Sequence, residues 1–130
     1  MALKDMMGSV KSATEGMADV ARDKMGDWVE ELKKANGILE ALGFRVSKFT
    51  IAMGALPEVH SSVSGSMADV KEEELRKLAA EHVAETLLVS ALNALITARK
   101  LWEHVELKNL NSVTLNMKLG VPPKVDVEIH

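Results

Sequence analysis

The segment GALPEVHSSV at residues 54–63 has a counterpart, GVPPKVDVEI, at residues 120–129. Aligning the glycines and prolines of the two turns also brings the flanking residues into register. In each copy apolar and polar residues alternate before and after the turn, which is typical of an antiparallel hairpin with one buried face. The matched positions are Phe49, Ile51, Met53, Val59, Ser61 and Val63 in the first copy and Leu115, Met117, Leu119, Val125, Val127 and Ile129 in the second. The repetition therefore predicts two similar hairpins.

A helical pattern precedes each hairpin. Apolar residues recur at steps of three and four over residues 28–42, and Gly43 stands where a left-handed residue would end the helix. Before the second hairpin, Asp69 and Glu72 have the spacing of a capping box. The apolar series over residues 75–105 then predicts one long helix.

These patterns predict an α+β domain built from a duplicated αββ unit. The order αββαββ gives a four-stranded antiparallel sheet with helices on its apolar face, because each unit alone leaves one apolar face half covered. The duplicated domain spans residues 26–130, with repeats at about residues 26–66 and 67–130. The sequence leaves open the strand order, and whether the hairpins pair within one chain or between two.

Residues 1–25 are predicted to form an amphipathic helical arm. Its apolar side chains fall on one helical stripe that includes Met6, Met7, Val10 and Met17. Each glycine in the arm costs about 1 kcal/mol relative to alanine, so the helix needs a surface to lie on. A lipid surface is the alternative to protein, although balanced charges on the arm give no attraction to anionic lipid.

The middle of the predicted long helix is apolar in most directions around its axis, which is typical of a helix covered from two sides. We therefore predict self-association through this helix, at Leu88, Leu92 and Leu95, and through the four arm residues named above. In one version the arm, from the same or an exchanged chain, covers the helix. In the other version the long helix of a twofold-related copy does so.

The two hairpins differ on the face predicted to be buried. Ser47 and Ser61 stand where the second copy has valines, so the first half of the core is smaller and more polar. This asymmetry motivates a pocket under the first hairpin, lined by Ser47, Phe49, Ile51 and Ser61, for a small apolar ligand or lipid. The alternative interpretation is an ordinary core in which each serine has a hydrogen-bond partner.

Composition excludes several classes of function. The net charge of −3 is spread along the chain without a basic block, and the chain has two Phe, two Trp and no Tyr, so nucleic-acid binding is not expected. The absence of cysteine removes thiolate metal sites and favours a cytoplasmic setting. The amino terminus lacks the apolar region of a signal peptide, and the longest mostly apolar run, residues 86–98, is shorter than the ~20 residues of a membrane span.

Catalytic patterns are weak. His60 and Asp126 occupy equivalent positions in the two hairpins, so an enzyme using this pair is one hypothesis, but no nucleophile or nucleotide-binding motif accompanies it. The four histidines do not have the spacing of a helical metal site, so no metal or cofactor is expected. We predict a non-catalytic binding or assembly module that forms a homo-oligomer, with an apolar-ligand carrier as the alternative and an enzyme as the last.

Overall fold

The computed structural model describes residues 24–106 and 109–130. Helix α1 covers residues 24–41 of this part, and a short 3-10 turn, Met67–Asp69, follows the second strand. The remaining elements are β1 (Arg45–Ala52), β2 (Glu58–Ser66), α2 (Glu72–Glu81), α3 (Thr86–His104), β3 (Ser112–Leu119) and β4 (Lys124–Ile129).

The four strands form one antiparallel sheet in the order β1-β2-β3-β4. The predicted α+β class and four-stranded antiparallel sheet are confirmed, and both hairpins belong to one sheet within one chain. The arm predicted at residues 1–25 lies almost wholly outside the described residues. Within the described part, no helix combines the length and the hydrophobicity needed to cross a bilayer.

Buried and partly exposed side chains alternate along the two central strands, and this places the core on one face of the sheet. In β2 and β3 every second side chain is buried, and the intervening ones are polar and face outward. We call these two sides the inner face, which carries the helices, and the outer face. The buried side chains of the inner face are Val59, Ser61, Val63, Val113, Leu115, Met117 and Leu119. Burial on the inner face therefore runs continuously across β2 and β3, as the alternating pattern predicts.

Helix α1 contributes a buried stripe and ends as the sequence predicts. Leu32, Ala35 and Leu39 recur at helical spacing and lie in the core. Gly43 has a φ of 103°. The Phe44 N–H donates to the Leu39 carbonyl at 3.1 Å, which is the 6→1 hydrogen bond of a Schellman motif.

The predicted single long helix is wrong, because residues 82–85 interrupt it. Helix α2 ends at Glu81, with His82 as its C-cap, and α3 then runs back along it. Near the far end of this helical hairpin, Lys100 Nζ lies 3.4 Å from Glu72 Oε1, which shows that the two helices are antiparallel. Helix α3 contacts β3 and β4 as well as α2, so residues of the same chain cover it on more than one side.

The predicted capping box is also wrong. Asp69 belongs to the 3-10 turn, and the residue that caps α2 is Lys71, whose side chain makes no capping hydrogen bond. The Ser66 hydroxyl instead accepts from the Ala68 N–H at 3.3 Å. In the first turn of α2, the Arg76 guanidinium donates to the Glu72 carboxylate at 2.7 Å.

Candidate functional site

Ser61 is a buried core residue. Its hydroxyl donates to Asn36 Oδ1 of α1 at 3.0 Å, and both residues lie inside the core. A buried hydroxyl with a hydrogen-bond partner is the normal state of a core serine. The structure therefore agrees with the alternative interpretation of this residue, a satisfied core serine.

Ser47 faces the side opposite to the predicted one. In the pairing of β1 with β2, Val46 lies opposite Val63 and Lys48 lies opposite Ser62, so Ser47 is the extra residue of a β-bulge. Its hydroxyl donates to the Ser62 carbonyl at 3.1 Å. Because the bulge shifts the alternation by one residue, Ser47 cannot line a pocket beneath the first hairpin.

Phe49 and Ile51 do face inward, but they are only partly covered. Their exposed fractions are 40% and 50%, and those of Val46 and Met53 are 37% and 71%. We call Val46, Phe49, Ile51 and Met53 the β1 apolar strip. The cross-strand partners of the first three residues are the buried side chains Val63, Ser61 and Val59. The strip therefore continues the core face beyond the edge of the helical layer.

The residues predicted for self-association fall into two groups. Leu88, Leu92 and Leu95 belong to the core cluster of the single chain and have almost no exposed surface. Within the single chain these three side chains are therefore covered by its own residues. The folding back of α2 onto α3 was not visible in the sequence. The other group, Met6, Met7, Val10 and Met17, lies outside the described residues.

His60 and Asp126 do not form the hypothesised pair. They lie on β2 and β4, with β3 between them. His60 Nε2 is 2.9 Å from Glu58 Oε1, while Asp126 accepts a hydrogen bond from Asn116 Nδ2 at 2.8 Å. The geometry that motivated the enzyme hypothesis is therefore not formed.

Hydrogen bonds between side chains connect the strands on the outer face. The Ser62 hydroxyl donates to Asn116 Oδ1 at 2.7 Å, and the amide nitrogen of Asn116 donates to Asp126. Two residues away along each strand, the Ser64 and Thr114 hydroxyls are 2.9 Å apart. Because both ends of the Asn116 amide are engaged, the side chains around it are held in fixed positions.

Next to this network, one row of residues crosses all four strands. Thr50 pairs with His60, His60 with Lys118, and Lys118 with Lys124. The row lies in a shallow depression of about 470 Å³ on the outer face. The sequence alone does not place Lys118 between His60 and Lys124, because that neighbourhood depends on the strand order.

Glu58 is the acidic neighbour of this row. The hydrogen bond from His60 is the main reason that the pKa of the Glu58 carboxyl lies below its ordinary value. Desolvation, the second-largest effect, opposes it, and the positive charge of Lys118, 3.5 Å away, adds to the lowering. The carboxylate therefore stays ionised at neutral pH. Among the described residues, no cluster of three or more histidine and carboxylate side chains has the geometry to hold a metal ion.

Comparison with known proteins gives no further assignment: no family model, no curated protein and no solved structure matches the chain.

Proposed function

We propose that this protein is a non-catalytic assembly module that pairs with a second copy of itself through the β1 apolar strip. The observation that supports this proposal is the concentration of exposed apolar side chains at one edge of the sheet. Of the ten large apolar side chains that are exposed in the described part of the chain, five lie between residues 46 and 56. A contiguous exposed apolar surface of this kind is typical of an interaction site.

The position of the strip on an edge strand favours a second copy as the partner. Among the strands that the structure describes, β1 has a neighbour on one side only, so within this part of the chain the backbone N–H and C=O groups on its other side are unpaired. Two identical edge strands related by a twofold axis pair in the antiparallel direction, and each then supplies the partner of the other. Such a contact extends the four-stranded sheet of each copy into one sheet of eight strands.

The β1 residues after the bulge can pair favourably with the same residues of a second copy. With Thr50 on the twofold axis, Phe49 lies opposite Ile51 of the second copy, so apolar side chains meet on the inner face. On the outer face Lys48 lies opposite Ala52 of the second copy, which avoids a pair of like charges. The bulge at Ser47 limits this regular pairing to residues 48–52.

The proposal keeps self-association and moves the contact from α3 to β1. Support for an internal duplication, which belongs to the same proposal, comes from the two hairpins themselves: β1 and β3 run in the same direction, and each follows a helix. The apolar-ligand carrier is less favoured, because Ser47 faces the outer side and the hydroxyl of Ser61 is already bonded to Asn36.

The first prediction concerns the mass of the assembly. Phe49→Asp should convert a dimer into a monomer, because it places a charge in the centre of the apolar contact. Size-exclusion chromatography with light scattering and native mass spectrometry of the full chain measure this change. Ile51→Lys is a second disruption of the same strip, and circular dichroism shows whether each variant keeps its fold.

Val83→Asp is the matched control, since Val83 is exposed in the turn between α2 and α3, outside the strip. It should leave the dimer intact. A wild-type chain that is monomeric across the accessible concentration range would contradict the proposal, and so would a Phe49→Asp variant that remains dimeric. A monomer in which the strip is protected from solvent would assign the strip to the protein's own chain instead.

A further inference from the structure

The row of residues that crosses the outer face contains two lysines directly opposite each other on neighbouring strands. An antiparallel sheet normally avoids such a pairing of like charges. Lys118 has Lys124 directly opposite on β4 and His60 directly opposite on β2. Side chains in such positions have Cβ atoms about 5 Å apart, and like charges there destabilise the pairing. The strand register therefore places the two lysine side chains next to each other.

The nearby carboxylates offset the positive charge of the two lysines only in part. Glu58 Oε2 is 3.5 Å from Lys118 Nζ, and Asp126 Oδ2 is 3.9 Å from Lys124 Nζ. An ammonium group has three donors, and one contact of this length leaves donors available. Around the depression, three lysines, including Lys48, stand against two carboxylates, in a chain whose net charge is −3.

Hydroxyl side chains stand on the same surface, although the single hydroxyl proton of Ser62 is donated to Asn116. Thr50 lies opposite His60 on the outer face, and Ser62 is two residues further along β2. Both residues line the depression with the two opposed lysines. Several ammonium groups on one concave surface are a chemistry that can bind a small oxyanion.

We propose that the outer face binds a phosphate group, inorganic or carried by a small monoester, between Lys118 and Lys124. The anion accepts from the two ammonium groups, and its negative charge offsets the repulsion between the two lysines. This site is on the face of the sheet opposite to the β1 apolar strip, so it does not depend on the proposed self-association.

Thermal unfolding of the full chain tests the site. At fixed pH and ionic strength, replacing chloride by inorganic phosphate should raise the Tm of the wild type in a saturable way, because an anion that binds only the folded state stabilises it. Lys124→Gln should lose this rise. In chloride alone Lys124→Gln should unfold at the wild-type temperature or above it, because one of the opposed charges is gone.

Lys77→Gln is the matched control, since Lys77 is an exposed lysine on α2, and it should keep the phosphate response. Glycerol 3-phosphate, inorganic phosphate and acetate are compared to separate a monoester site from a phosphate site and from general screening. Amide chemical shifts in a phosphate titration should move at residues of the row. An equal rise in Lys124→Gln, an equal rise with acetate, or no rise in the wild type would each overturn the proposal.

Discussion

At the scale of single residues, hydrogen bonding decides the role of Ser61. The sequence shows a serine at a core-facing position, and this observation fits both a ligand pocket and a satisfied core. Asn36 supplies the answer, because its side-chain oxygen accepts from the serine hydroxyl inside the core. The partner lies 25 residues earlier, on α1, so no local pattern in the sequence connects the two.

Ser61→Val tests this contact. The substitution should lower the free energy of unfolding by about 1–3 kcal/mol, because the buried Asn36 oxygen loses its donor. The double variant Asn36→Leu with Ser61→Val should recover much of the loss, since replacing both partners by apolar groups leaves no polar atom unpaired. Urea unfolding midpoints measure both changes. Equal destabilisation by the single and double variants would show that the hydrogen bond is not the cause.

Gly65 shows a second constraint at this scale. A Cβ atom added at Gly65 would lie 2.6 Å from the ring of Phe44, which is closer than van der Waals contact permits. The aromatic ring, which is buried, occupies the space above the inner face of β2 that any other residue would fill. A glycine inside a strand often marks such a close approach, but the sequence does not say which group approaches.

At the scale of elements, the turn between α2 and α3 has a defined cause. The carboxylate of Glu85 contacts the ring of His82 and the ammonium group of Lys34 on α1, and the Glu85 N–H donates to the His82 carbonyl at 2.8 Å. One residue thus joins the start of α3 to both α2 and α1. Residues 82–85 contain no glycine or proline that would mark a break in the sequence. The helical spacing of apolar residues therefore predicted a single helix through them.

Glu85→Gln should weaken the fold in a pH-dependent manner. The Lys34 ammonium group, followed by His82, holds the pKa of the Glu85 carboxyl below its ordinary value, with desolvation opposing them. Because the folded pKa is depressed, the stabilising contribution is complete above the ordinary value of about 4.5 and is lost as the pH falls through the folded pKa.

The difference in Tm between the wild type and Glu85→Gln should therefore be largest near neutral pH and should shrink below about pH 4.5. Thermal unfolding at a series of pH values measures it. Glu81→Gln, at an exposed position on α2, is the control and should show a smaller difference at neutral pH. A Glu85→Gln difference that stays constant as the pH falls would contradict the assigned ion pairs.

At the scale of the whole molecule, the sheet presents two surfaces with different chemistry. The helices bury the inner face at β2 and β3, leave β4 half-buried and leave β1 largely exposed. The outer face is polar and carries the opposed lysines. The apolar strip and the lysine row therefore lie on opposite sides of one thin layer.

This separation predicts that the two proposed sites act independently. Phe49→Asp should leave the phosphate-induced rise in Tm unchanged, and Lys124→Gln should leave the subunit mass unchanged, because sites without shared contacts have nearly additive effects. Light scattering on Lys124→Gln and phosphate titration of Phe49→Asp give the two cross-measurements. A phosphate response that disappears with the dimer would show that the anion site requires both copies.

The sequence by itself determined the two hairpins, the helix that ends at Gly43 and the α+β class, because each of these depends on periodicity or turn chemistry within a short segment. The tertiary structure decided the strand order, the bulge that turns Ser47 outward, the break between α2 and α3, and the row that sets Lys118 against Lys124. These features depend on pairing and packing between residues that are distant in the chain. A local pattern fixes which face of a strand is apolar, but only the neighbouring elements determine whether that face is covered.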